Sequence, residues 1–179
     1  MKADVDKTYS QEEAWKKGNA LEILAQYLFL LIPGFIPLGK VKSAPKDFET
    51  DIVVSNLRSA GNLEAEVFGR NFIVECKNWN KPVGVQDVGY FLYRMRLTQS
   101  KFGVIFATKS ITGDDESANF AQSLRLRALH QDGSICIVIN SEDIESILSK
   151  ATTFRSLLFE KANALRFGKS QYNSDGTAT

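Results

Sequence analysis

The sequence predicts a three-layer α/β/α domain around a central mixed β-sheet. Apolar periods of two residues alternate along the chain with periods of three to four, the signature of strands alternating with helices. Two short runs, 102–107 and 135–139, are almost wholly apolar and bounded by turn residues, as central strands buried on both faces should be. With 179 residues, 44% of them hydrophobic, the chain is long enough for one substantial core.

Residues 1–11 are polar and are expected to form a flexible N-terminus. One domain is expected over 12–167, followed by a disordered polar tail, 168–179. From Gln11 to Ile32 the pattern is helical, with Ala14, Leu21, Leu24, Ala25, Leu28 and Ile32 on one face. Ser10 and Glu13 resemble a capping box, and Pro33-Gly34 stops the helix. Phe35 to Val41 is an extended piece. Glu49 to Ser55 alternates as a strand, with Ile52 and Val54 on one face and Asp51, Val53 and Ser55 on the other.

Asn62 to Phe68 reads as a short capped helix or a hairpin arm. Phe72 to Lys77 is a strand that sets Phe72, Val74 and Cys76 against Ile73, Glu75 and Lys77. Gln86 to Thr98 is a helix with the buried stripe Val85, Val88, Leu92 and Met95, and Ser117 to His130 is another, closed by Asp132-Gly133. Phe154, Leu157, Leu158, Lys161 and Leu165 mark a last amphipathic helix.

Composition excludes several chemistries. Cys76 and Cys136 cannot build a disulfide framework or a cysteine-rich zinc site, and their apolar surroundings suggest reduced thiols. A lone histidine, His130, rules out multi-histidine metal sites and fits a helix end better than a ligand position. The most apolar run, Tyr27 to Leu38, is broken by Pro33, Gly34 and Pro37 and falls short of the ~20 residues of a spanning helix. The chain is expected to be cytoplasmic, with no membrane partner. A net charge of +1 conceals a gradient: residues 76–110 hold six basic side chains and one acidic, a local polyanion footprint or an ordinary solvated surface.

Chemistry is therefore expected to rest on carboxylates, lysine or hydroxyl groups. Glu75-Cys76-Lys77 places a carboxylate and an ammonium on one face of a strand. As a string that spacing is expected by chance about once or twice in such a chain, so its value lies in context. The charges follow Phe-Ile-Val directly, where unpaired charge is costly. Asp51 intrudes in the same way on the preceding strand. If the two strands pair, Asp51, Glu75 and Lys77 converge within reach of one ion, and oxygen ligands suit Mg²⁺, with Mn²⁺ as a substitute. The bland alternative is a strand-face salt bridge at the sheet edge.

These residues resemble a known family. Lys17-Gly-Asn-Ala-Leu-Glu22 in the first helix, Glu49-Thr-Asp51, Glu75-Cys-Lys77 and Gln86 opening the next helix look like the PD-(D/E)xK nuclease superfamily. The resemblance is strongest to the Mrr-like restriction endonuclease catalytic domain and extends over roughly 15–112, including Phe102 to Thr108. It implies a restriction-endonuclease-like fold and a Mg²⁺-dependent endonuclease hydrolysing DNA. Asp51 and Glu75 would be metal ligands, Lys77 the catalytic lysine and Glu22 a carboxylate completing the metal shell through water. Gln86 would support the site or touch the nucleic-acid backbone. The proline that stands before the aspartate in the superfamily's namesake motif is replaced here by Glu-Thr.

Trp79, Lys81, Arg94 and Arg96 are candidate nucleic-acid contacts, through stacking and phosphate neutralisation. Tyr90 and Tyr93 could serve alike or pack partly buried, and Glu49 is expected at the rim. Glu75→Ala and Lys77→Ala are both expected to abolish cutting and leave the fold intact. Two other readings share the motif: a structure-selective nuclease resembling Holliday-junction resolvases, and a non-catalytic nucleic-acid-binding module. A protein-interaction scaffold has only the apolar C-terminal helix in its favour. A domain this small is expected to lack a separate reader, and specificity is then expected from loops, a homodimer or a partner subunit.

Overall fold

The computed structural model describes residues 19–42, 49–58, 62–77, 82–109 and 116–167. Helix α1 covers 19–30. It is followed by β1 (Phe35–Lys42), β2 (Glu49–Asn56), α2 (Leu63–Phe68), β3 (Asn71–Lys77), α3 (Val85–Leu97), β4 (Phe102–Ala107), α4 (Glu116–Asp132), β5 (Ile135–Ile139), α5 (Ser141–Leu148) and α6 (Phe154–Phe167). The expected capping pair Ser10 and Glu13, the flexible N-terminus and the polar tail lie outside the described residues.

The turn after α1 needs Gly34, whose φ of +92° is unfavourable for a residue with a Cβ. Arg58 secures it by donating Nε to the Pro33 carbonyl at 2.9 Å, and the Leu57 N–H reaches the Gly34 carbonyl at 2.8 Å. The sheet order is β1-β2-β3-β4-β5. The first three strands pair antiparallel, and β4 and β5 add in parallel through α3 and α4. The sheet is mixed, as expected.

Strand period and helix period meet in two cores. On one face Ile52, Val54, Phe72, Val74, Phe102, Val104 and Phe106 pack under α1, α2 and α6. Phe29 is its hub, with ring centroids 5.5 Å from Phe72, 6.0 Å from Phe106 and 5.0 Å from Phe154. On the other face Ile73, Ile105, Cys136 and Val138 lie under Val88, Phe91, Leu92 and Met95 of α3 and Ala121 and Ala128 of α4. The alternation expected for β2 and β3 holds: Ile52 and Val54 enter the first core, while Val53 and Ile73 enter the second.

Two differences from expectation have physical causes. The strand Ile135–Ile139 is buried throughout, yet it ends the described sheet rather than lying at its centre. Its apolar run reports helices on both faces, and face burial does not depend on position in the strand order. Helix α5 has no counterpart among the elements expected from the sequence. Its start is set by a reciprocal cap, in which Asp143 N–H donates to Asn140 Oδ1 at 2.9 Å and Asn140 N–H to Asp143 Oδ2 at 2.8 Å. No helix among the described residues is long and apolar enough to cross a membrane.

Candidate active site

Beta-strand alternation carries Asp51 on β2 and Glu75 and Lys77 on β3 to the face covered by α3. The antiparallel ladder between these strands ends at Ile52 opposite Val74, and one further step in the same register sets Asp51 opposite Glu75. Beyond that pair the strands part. The Cys76 N–H donates instead to Asp51 Oδ2 at 2.7 Å. A fork in the sheet thus presents two carboxylates side by side.

Glu75 is buried, at 7% exposure, and lies between two cations. Lys77 Nζ stands 2.7 Å from its Oε1 and Arg94 Nη2 2.6 Å from its Oε2. Arg94 also donates from Nη1 to the Glu49 carbonyl at 2.8 Å. Burial, then the charge of Glu75, pushes the Asp51 carboxyl up from 3.8 to about 6, against the Cys76 N–H; Glu22 adds to the rise. Burial, with the charge of Asp51 next, drives the Cys76 thiol far up, so it stays protonated and is no nucleophile.

The other expected site residues are placed differently. Glu22 approaches from α1, on the opposite layer, and its Oε2 is 3.5 Å from Lys40 Nζ. Lys40 holds a positive φ of 48° on β1. Gln86 is exposed, two turns before Arg94 and so about 12 Å from it along the helix axis. Among the described residues no hydrogen bond joins Gln86 to the carboxylates. Trp79 and Lys81 lie outside the described residues.

Arg94, expected as a surface contact for nucleic acid, is turned inward at 3% exposure. Arg94 stands three residues after Phe91 and so shares its buried face of α3, a spacing that the sequence itself displays. Arg96 donates Nε to Asp132 Oδ2 at 2.7 Å, and Lys101 Nζ to the Asp132 carbonyl at 2.8 Å. Much of the basic block is therefore engaged within the protein. Glu49 is at the rim as expected, 3.5 Å from Lys42 Nζ. Tyr90 and Tyr93 are exposed at 53% and 55%.

Among the described residues no group of three or more His, Cys, Asp or Glu side chains forms a ready metal site. The donor chemistry nevertheless suits a hard divalent cation. The charges of Glu75 and Glu22 both raise Asp51, and a cation between carboxylates would relieve that repulsion.

The sequence model of a restriction endonuclease family, the Mrr-type catalytic domain, matches residues 18–134. No curated protein and no solved structure matches the chain. The matched span takes in well over half the sequence, including Asp51, Glu75, Lys77 and Arg94. On this match, and with a five-stranded mixed sheet between helical layers, the chain belongs to the Mrr-type restriction endonuclease catalytic family.

Proposed function

We propose that the protein is a Mg²⁺-dependent endonuclease of restriction type that hydrolyses DNA phosphodiester bonds in the cytoplasm. The observation that carries this is the juxtaposition of Asp51, Glu75 and Lys77 where β2 and β3 separate. Asp51 and Glu75 would hold the cation, with Glu22 reaching it through water once released from Lys40. Bound there, Mg²⁺ supplies Lewis-acid polarisation of the scissile phosphate.

The residues of the chain do the rest. Lys77, 22% exposed and at the strand end, presents its ammonium to the charge that builds on the phosphoryl oxygens. Water adds to phosphorus, the bond to the leaving sugar oxygen breaks, and that oxygen takes up a proton. Tyr90, whose ring lies 4.9 Å from the Arg94 guanidinium carbon, offers an exposed aromatic face beside the site, where a base can stack. Loops of this domain, a second copy of the chain or a partner subunit would contribute to specificity.

The test is incubation of the full chain with supercoiled, linear, branched and single-stranded DNA and with RNA, in Mg²⁺, Mn²⁺ or chelator. Metal-dependent cutting of duplex DNA that Asp51→Asn and Lys77→Ala both lose is the expected result. Unchanged cutting by both variants would sink the proposal. Preference for branched DNA would make it a junction nuclease, and salt-dependent binding without Mg²⁺ uptake would make it a binding module.

A further inference from the structure

We infer that Arg94 is a positioning residue for Glu75, bracing the fork between β2 and β3 and assigning one Glu75 oxygen to the reaction. The inference rests on the reading of Asp51 and Glu75 as the cation-holding pair.

Where the backbone ladder stops, after Ile52 and Val74, Arg94 supplies a different tie. One terminal nitrogen takes Glu75 Oε2 on β3 and the other takes the Glu49 carbonyl on β2. The planar guanidinium spans both at a fixed width, which the single ammonium of lysine cannot do. Its carbon lies 4.9 Å from the Tyr90 ring centroid and 5.6 Å from that of Phe91, which limits rotation. Glu75 therefore has Oε2 bound toward α3 and Oε1 directed toward Lys77.

Stability does not account for the arrangement. A buried Arg–Glu pair is commonly no better than apolar side chains of the same volume. Here the Arg94 Nε is in addition buried with no hydrogen-bond partner. What this placement secures is the orientation of a carboxylate, together with a positive charge that offsets two neighbouring negative ones.

Two consequences oppose one another on removal of the guanidinium, and they identify its role. Loss of the charge should tighten cation binding, while loss of the brace should slow cleavage. The experiment measures Mn²⁺ affinity without DNA, by the electron-spin signal of free Mn²⁺, alongside kcat, KM and melting temperature. The full chain is compared with Asp51→Asn, Arg94→Met and Arg94→Lys. In Arg94→Met the Mn²⁺ Kd should fall about tenfold, while kcat falls about a hundredfold with KM nearly unchanged. Arg94→Lys should keep the Mn²⁺ Kd within about threefold but lose about tenfold in kcat.

A merely structural residue would lose binding and kcat together, in proportion to the unfolded fraction. That result in Arg94→Lys overturns the inference, as does wild-type kcat in either folded variant. If Arg94→Met does not fold, Arg94→Lys decides alone. Mn²⁺ binding that is absent from the wild type, or indifferent to Asp51→Asn, defeats the underlying reading of the site and this inference with it.

Discussion

The Asp51 carboxylate accepts the backbone N–H of Cys76 at 2.7 Å, two residues beyond Val74, where the pairing of β3 with β2 ends. A side chain here occupies the place of a strand carbonyl. The carboxylate is thereby held half-buried beside Glu75, and its pKa rises to about 6.

That rise fixes a pH dependence. The folded state binds a proton more tightly than the unfolded chain, so this contribution is full below about pH 4 and is lost as pH rises through 6. Without metal, Asp51→Asn keeps an oxygen for the Cys76 N–H and removes the penalty. Its melting temperature should match the wild type near pH 4 and exceed it at pH 8. The gain should be about 1 kcal/mol, discounted for the exposed part of the carboxyl. Calorimetry in chelator across that range checks it; a constant difference would refute it.

Glu75→Ala and Lys77→Ala should differ in stability, contrary to the expectation from sequence that both leave the fold intact. Removing Glu75 leaves Arg94 charged at 3% exposure without its carboxylate, at a cost of about 3–5 kcal/mol. Lys77 is partly exposed, and Lys77→Ala should cost less than about 1 kcal/mol. Urea melts of the two variants measure this, and Lys77→Ala is the cleaner test of cleavage.

Gly103 on β4 sets how closely α3 approaches the sheet. A Cβ there would stand 2.7 Å from Met95 Sδ and 2.7 Å from Phe91 Cε1, both in the core. Gly103→Ala should destabilise by about 1–3 kcal/mol. It should also slow cleavage, because displacing α3 moves Arg94 from Glu75. Normal kcat in the folded variant would show that the helix position is not critical.

The Arg155 guanidinium on α6 donates Nε to Glu64 Oε1 on α2 at 2.7 Å. Glu64 is 2% exposed but Arg155 is half exposed, so Arg155→Met removes the main partner of the carboxylate and should cost about 1–2 kcal/mol. Both residues lie on the layer opposite the carboxylate fork. Cleavage per folded molecule should therefore be unchanged while the thermal transition drops; lost cleavage with an intact fold would place Arg155 in the site's support.

How much of this was legible depended on whether a signal was local. Alternation in Asp51-Ile-Val-Val and Phe-Ile-Val-Glu75 gave the strand faces directly, because side-chain direction in a strand follows from sequence position alone. The Asn140 and Asp143 cap of α5 is equally local, but its short helix lacks a long apolar period to accompany it. The partners of Arg94 were another matter. Glu75 is 19 residues away and the Glu49 carbonyl 45, and a backbone acceptor has no sequence signature. The basic block misled for the same reason, since Asp132, which holds Arg96 and Lys101, lies outside it.

Every strand of the sheet pairs with its neighbour in sequence. Such an order lets the sheet grow in the direction of synthesis, with Asp51 and Glu75 joined through a 23-residue connection before β4 or β5 is made. The layer beneath them cannot close so soon, because Phe154 and Leu158 of α6 complete the core around Phe29 and Phe106. Those two residues lie beyond Ser134, where the family match ends. A chain released at Ser134 would carry the acidic pair with an aromatic face uncovered. The matched span is thus shorter than the unit that has to be synthesised before the site can become rigid.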